Sequence, residues 1–354
     1  MKHWSKIITG LVAAMALFAT PNADAAGKRI VFAGGGGAYQ EIVEKHWFKP
    51  FTKKTGIEIV YVSTASTGER RNQIQAMIKT NNMEWDLYQE GELEAEAPDH
   101  LTRVLDHTEF CKKEFDGKPG IPDDACNSNG VLFGRGLTLM TYNEKQFPNG
   151  GPKTWADFWD VKKYPGVRSM PNTRGWRHLI AALIADGVSL DKLFPLDLDR
   201  AFAKMDKLRP NIGVWWTSGS QTQQGFRDGE FDMAYMWMTR TTALKKEGQP
   251  IGWSFDGALV LGDRFAITKS APNQELAKEL LKFYIFNPEV QARITEDMTV
   301  VPPTPAALDF VNAETKARMP TPEQMAKSMV VPDFKYINEN ANMLAERWNT
   351  WFQK

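Results

Sequence analysis

Apolar and polar positions follow a repeated order along the first hundred residues. A short apolar run is followed by a polar or glycine-rich loop, then by a run with helical spacing. Arg29 to Ala33 predicts a strand, and Gly34 to Gly37 with Ala38 and Tyr39 a loop. Gln40 to Lys54 predicts an amphipathic helix with Ile42, Val43, His46, Trp47 and Phe51 on one side. Gly56 stops it, and Ile57 to Val62 predicts a second strand. The polar loop Ser63 to Gly68 leads into a helix over about Glu69 to Asn81, and Trp85 to Tyr88 begins a third strand that ends at Gln89, Glu90 and Gly91. This order predicts an α/β fold with a parallel sheet and right-handed crossovers.

The pattern then lengthens. Val131 to Tyr142 is β-prone for twelve residues, interrupted at Gly134-Arg135-Gly136, and is long enough to leave one domain and enter another. Beyond it come a helix over Ala156 to Trp159, a strand over Val167 to Met170, and a helix that starts near Asn172 to Arg177 and runs through Ala185. Ile212 to Arg240 reads as strand, polar turn, short helix and strand. Thr217, Ser218 and Ser220 are helix N-cap residues, Gln221 opens the helix, and Gly225 and Gly229 break it. Ala258 to Ile267 is a strand carrying one acid, Asp263, and Gln274 to Phe286 is an apolar-periodic helix. The tail after Val301 is proline-rich and closes with a helix over Asn340 to Phe352.

Candidate chemistry gathers at the carboxyl ends of the strands, where open α/β sheets bind ligands. Gly36, Gly37 and Tyr39 form a first loop able to bring backbone and an aromatic wall to a ligand. It is neither a dinucleotide fingerprint nor a P-loop, because Tyr39 replaces the last required glycine and no Gly-Lys-Ser/Thr follows. A tight turn with a surface tyrosine is the plainer reading. Ser66, Gln89 and Glu90 end the next two units. Ser220 and Gln221 sit at a helix N-terminus, where unpaired N–H groups suit an anion or carbonyl oxygen. Trp237, Thr239 and Arg240 offer a ring, a hydroxyl and a guanidinium, with Arg240 open between a cleft role and a hinge salt bridge. Arg174 and Arg177 flank Gly175 at a helix N-terminus, where the dipole disfavours cations. Contact with an anion and plain solvation remain open for them. Asp263, amid apolar strand residues, needs a partner if buried: a ligand ammonium, or Arg264, or a turn.

Composition narrows the function. The 354 residues suit two domains, and 43 basic against 43 acidic side chains argue against a nucleic-acid partner. Lys2, His3 and Lys6, then Ile7 to Phe18, then Ala23-Asp24-Ala25 form a secretory signal, so residues 1–25 are expected to be removed and the mature chain exported to the periplasm. No later stretch is apolar enough to span a bilayer. In an oxidising compartment Cys111 and Cys126 are expected to pair, closing a loop for about 3 kcal/mol. The scattered His46, His100, His107 and His178 lack metal-site spacing, and neither a nucleophile elbow nor a His-Glu-x-x-His motif is present. No cofactor is expected. A secreted hydrolase is the rival class to a binding protein.

The segments FTKKTGIEIVYV, EWDLY, LTLMTYNEKQF, PKTWADFWDVKKYPGVRSM, DGEFDMAYMW, FAITKSAP, ELLKFYIFNPEVQ and VVPPTP, in this order behind a signal peptide, resemble the extracellular solute-binding proteins of ABC importers, and within them the spermidine/putrescine-binding group. The resemblance covers nearly the whole mature chain. It implies a type II periplasmic-binding-protein fold, two lobes joined by crossing strands over Val131 to Tyr142 and Val260 to Ala266. Lobe 1 would comprise 26–136 plus 264–305, and lobe 2 residues 137–263 plus 306–354. It implies a monomer that traps a small-molecule ligand between the lobes and presents it to a membrane permease. Tyr39 matches an aromatic that stacks on the polyamine chain, Trp237 a stacking tryptophan, and Asp263 the carboxylate that holds an ammonium. Arg174 and Arg177 stand where the group has two acids, and Leu261 where it has a second tryptophan. That reversal points to a ligand with an amine at one end and an anion at the other, such as a γ-amino acid or an opine-like compound. A true polyamine and a purely anionic or sugar-like solute remain the alternatives.

Overall fold

The computed structural model describes residues 28–111, 114–115, 118–119, 121 and 125–354. The expected signal peptide and its cleavage site near Ala25 lie outside the described residues. Strand β1 (Arg29–Gly35) is followed by helix α1 (Ala38–Val43), which continues through a π-helical turn into Lys49–Thr55. Gly56, at φ 74°, ends that helix in the left-handed conformation open to glycine. Strand β2 (Glu58–Thr64), helix α2 (Thr67–Lys79), strand β3 (Leu87–Gly91) and the single helical turn α3 (Glu92–Ala95) complete the first unit. β1 pairs in parallel with both β2 and β3, as the β–loop–α pattern predicted.

Strand β4 (Gly130–Asn143) opens the second unit, followed by strand β5 (Arg168–Pro171), helix α4 (Trp176–Ala185), strand β6 (Ile212–Trp216), helix α5 (Gly219–Asp228), strand β7 (Met233–Trp237) and helix α6 (Met238–Lys246). The long strand β8 (Ile251–Ile267) then returns beside β4. The continuous sheet runs β2-β1-β3-β8-β4-β7-β5-β6. At one end β8 pairs antiparallel with β3 through residues 263–267, and at the other β4 pairs antiparallel with β7 through residues 138–142. Each long strand therefore serves two parallel three-stranded units, and the β8–β4 pair is the crossing between two lobes. β8 is longer than the expected Ala258 to Ile267, because its first residues continue the pairing with β4 as far as Ile251 and Asn143.

Two aromatic cores confirm the division. In the first lobe Trp47 packs on Phe265 and Tyr284 at ring separations of 4.6 and 4.8 Å. In the second Trp155 meets Tyr235 edge-on at 4.8 Å. Helix α7 (Pro288–Met298) ends at Thr299, and the chain then forms a third crossing: Arg135 and Val301 exchange two backbone hydrogen bonds of 2.8 Å. Val311 and Met319 pack back on Ala292 of α7, and Met329–Val330 adds to β8 at Ala258 and Leu259. Helix α8 (Ala341–Phe352) closes on the second lobe, with Trp348 stacked on His178 at 4.6 Å. Cys111 and Cys126 form the expected disulfide. Among the described residues no helix is long and apolar enough to cross a membrane.

Candidate functional site

Three crossing segments and the strand ends of both lobes enclose a cavity of about 340 Å³. The first lobe contributes Thr67 at the start of α2 and Glu92 and Glu94 on α3. The crossing contributes Phe133, Gly134, Thr138, Leu261 and Asp263, and the second lobe Thr173, Arg174, Arg177, Trp237 and Thr239. A bulge places this crossing: β8 pairs Asp263 with Gly134 and Arg264 with Leu132, so Phe133 is the extra residue, lining the cavity while its ring packs on Tyr39, Phe265 and Tyr284.

The acidic side is built around Asp263. Its Oδ2 accepts from Gln89 Nε2 at 3.0 Å, and Gln89 Oε1 accepts from the Gly35 N–H at 3.1 Å. Burial, with a smaller push from Glu94 and Glu92, raises the Asp263 carboxyl to about 6. Glu92 is already engaged: Oε2 accepts from the Gly262 N–H at 2.7 Å, and Oε1 lies 3.2 Å from the Arg264 guanidinium. Glu94 Oε1 accepts from Arg174 at 2.6 Å, while Glu94 Oε2 is buried without a partner.

The basic side belongs to α4. Arg174 sits at φ 52°, a left-handed conformation rare outside glycine, and that turn carries its side chain across to Glu94. Arg177 is only 7% exposed and forms no ion pair among the described residues, and its Nε has no hydrogen-bond partner. Burial and then repulsion from Arg174 lower its guanidinium to about 10, opposed by Tyr235 and Glu94. Trp237 stands at the end of β7, held edge-on against Trp216 at 5.2 Å. Gly219 is required behind it, since a Cβ there would lie 2.6 Å from Arg240 Nε and 3.1 Å from the Trp237 ring.

Of the residues expected from sequence, Arg174, Arg177, Trp237, Thr239 and Asp263 share the cavity. Tyr39 stands one layer back, its ring edge-on to Phe133 at 5.5 Å. Gln89 holds Asp263, and the Ser66 hydroxyl caps α2 by accepting from the Glu69 N–H at 3.1 Å. Other residues are committed elsewhere. Glu90 alternates with Gln89 along β3 and so takes the opposite face, where it accepts from Tyr88 at 2.7 Å and pairs with His100 at 2.9 Å. Burial raises the Glu90 carboxyl, but bonding from His100 and Tyr88 and the charge of Arg103 hold it below its ordinary value. Gly175 packs under α8, where a Cβ would fall 2.0 Å from the Trp348 ring. Ser220 is exposed, and Gln221 Oε1 turns back to accept from the Thr217 N–H at 2.8 Å, closing the α5 N-terminus. Arg240 donates to Gln223 at 3.3 Å, neither lining the cavity nor bridging the hinge. Gly36 lies against Ser63 and Gly37 precedes α1 at φ 66°. Asp263 is not the partner of Arg264, which pairs with Glu92.

Glu92, Glu94, Thr67 and Thr173 were absent from the sequence expectation. Glu92 and Glu94 follow directly on the strand end Gly91, and the rule that favoured Gln89 and Glu90 applies one turn further along. Among the described residues no cluster of three or more His, Cys, Asp or Glu could hold a metal ion.

A mixed-charge cavity between two α/β lobes joined by crossing strands defines a two-lobe solute-binding protein. The chain belongs to the bacterial extracellular solute-binding protein family, which it matches over residues 46–321. It is 42% identical to the AttC protein of Agrobacterium tumefaciens strain C58, seen in an open unliganded conformation, covering 92% of this chain and 99% of that one with a TM-score of 0.78. An ABC transporter substrate-binding protein from Bradyrhizobium japonicum is 30% identical over 92% of this chain and 99% of that one, with a TM-score of 0.82. The gamma-aminobutyric acid-binding protein of Pseudomonas aeruginosa is 28% identical over 89% of this chain and 88% of its own. The protein is thus the extracellular solute-binding component of an ABC importer, a carrier and not an enzyme.

Proposed function

We propose that the solute is a small zwitterion, an amine joined by a short chain to a carboxylate. One observation carries this: the charges left over in the cavity. Glu92 is matched by Arg264 and Glu94 by Arg174, which leaves Asp263 and Arg177 without an ion-pair partner among the described residues. An ammonium at Asp263 and a carboxylate at Arg177 complete both, as charge-assisted hydrogen bonds in a site shielded from water. Trp237, which lines the cavity, supplies a ring for the methylenes and a cation–π face. A diamine would leave Arg177 facing a second ammonium. The γ-aminobutyrate-binding relative supports the same class.

The ligand touches both lobes at once, so it favours the closed arrangement of lobes. We assign residues 305–319 to the first lobe, because Val311 and Met319 pack on α7, and residues 331–354 to the second, with the division inside β4 and β8. The mature chain works as a periplasmic monomer that delivers its closed form to the permease.

The test is a pair of neutral variants. With an ω-amino acid as titrant, D263N should weaken binding by removing the amine's partner and R177Q by removing the carboxylate's, each by about 2 kcal/mol or more. Butanoate affinity should fall in R177Q but not in D263N. If both variants bind ω-amino acids like wild type, the zwitterion reading fails.

A further inference from the structure

We infer that the amine seat has two carboxylates, Asp263 and Glu94, with Arg174 as the positioning residue that holds Glu94 there, so the solute's nitrogen must carry at least two N–H groups. This rests on the zwitterion reading and narrows it. The family resemblance places two arginines opposite the amine end; the structure divides their work. Arg177 faces the cavity unpaired, whereas Arg174 spends its guanidinium on Glu94 Oε1.

The geometry of the seat is fixed around Gly91. A Cβ on Gly91 would lie 2.5 Å from Glu94 Oε2 and 3.9 Å from Asp263 Oδ1, so both oxygens border the same glycine in the cavity wall. The remaining Asp263 oxygen is taken by Gln89, and the remaining Glu94 oxygen by Arg174. Each carboxylate therefore keeps one oxygen clear of these partners beside Gly91, and Glu94 Oε2 is buried with no donor among the described residues. Two acceptors brought together out of water need a shared cation that donates to both. The buried, unpaired Arg177 across the same cavity is an independent sign that the site is built for a ligand and not for a solvated acidic surface.

A primary ammonium, with three N–H donors, or a secondary one, with two, can satisfy both oxygens. A trimethylammonium can satisfy neither, although its charge is the same. Sites built to hydrogen-bond a donor reject analogues without it far more strongly than size alone would dictate. Because Arg174 belongs to the second lobe and Glu94 to the first, the seat is complete only when the two lobes meet. An open protein has one carboxylate in place and a closed one has two.

The test uses 4-aminobutanoate, longer ω-amino acids and their N,N,N-trimethyl analogues, titrated calorimetrically into ligand-free wild type, E94Q and R174Q, with melting curves to confirm that each variant folds. The expected result is that trimethylation weakens binding to wild type roughly 100-fold or more. E94Q and R174Q should both weaken the amino acid about tenfold while leaving the trimethyl compound within a factor of about three. R174Q should act like E94Q, although Arg174 itself touches no part of the amine. A trimethyl analogue that binds wild type as tightly as its parent, or an unchanged ratio in E94Q, overturns the two-carboxylate seat while the zwitterion reading stands. If no ω-amino acid binds wild type, both fall together.

Discussion

Arg174 of the second lobe donates to Glu94 of the first at 2.6 Å, across the mouth of the cavity, from a residue held at φ 52°. The two are 80 positions apart in sequence and meet only because the lobes do. The pair is partly solvated, with side-chain exposures of 34% and 16%, so its own contribution to stability is modest, on the order of 1 kcal/mol. Its consequence is positional. It engages Arg174 and one oxygen of Glu94, while Asp263 and Arg177 have no ion-pair partner among the described residues.

Proton linkage follows from Asp263. In the empty cavity its carboxyl sits at about 6, raised mainly by burial. Between the ordinary carboxylate range and about 6 the folded protein holds more protons there than the unfolded chain does. The contribution of Asp263 to the stability of the ligand-free protein therefore falls as pH rises through that window. An ammonium favours the ionised form, so binding at pH 6 should expel roughly half a proton. Titrations in buffers of different ionisation enthalpy should show this release at pH 6 and its disappearance by pH 8. Burial holds His107 at about 4 and His178 at about 3, so both stay neutral in the folded protein and add nothing to the release at pH 6, while against the unfolded chain their contribution to stability rises with pH up to about 6.5 and opposes that of Asp263.

D263N should also raise the melting temperature of the ligand-free protein at neutral pH, since it removes a buried charge whose shift corresponds to at most about 3 kcal/mol. The same variant should gain far less stability than wild type from added ω-amino acid. A variant that melts earlier than wild type and still responds to ligand would contradict the assignment.

Gly175 is a packing glycine. A Cβ there meets the Trp348 ring at 2.0 Å, and Trp348 is itself stacked on His178. G175A should cost about 1–3 kcal/mol of stability by overpacking, visible in thermal melting without ligand. If it folds as stably as wild type and only binding suffers, Gly175 belongs to the cavity after all.

Reduction of the Cys111–Cys126 disulfide should lower stability by about 3 kcal/mol, with little effect on affinity, because neither cysteine lines the cavity. The readout is chemical denaturation and titration of the oxidised and reduced forms side by side.

The lobes were legible in the chain because they rest on local periodicity: an apolar strand, a polar loop, a helix with one packed face, repeated. The crossing strands were legible because Val131 to Tyr142 is too long and too apolar for one small unit. Cavity-lining residues were legible where a residue type is out of place, as with Asp263 in an apolar strand or Arg177 at a helix N-terminus. Others misled for equally physical reasons. Ser220 and Gln221 carry capping chemistry, and the cap uses it up within the chain. Gln89 and Glu90 are neighbours, and the two-residue period of a strand lets only one of them face Asp263. For Arg174 the sequence left contact with an anion and plain solvation open, and the structure adds a third partner, Glu94; pairing across the cavity is set by tertiary closure, and no local pattern encodes it.

The most direct measurement is a calorimetric competition in protein stripped of bound solute, with an ω-amino carboxylate and putrescine titrated separately under the same conditions. The unpaired Asp263 and Arg177 require the amino carboxylate to bind more tightly, by roughly tenfold or more. A diamine that binds more tightly than every amino carboxylate would show that Arg177 does not face the solute's charge, and the zwitterion account would be wrong.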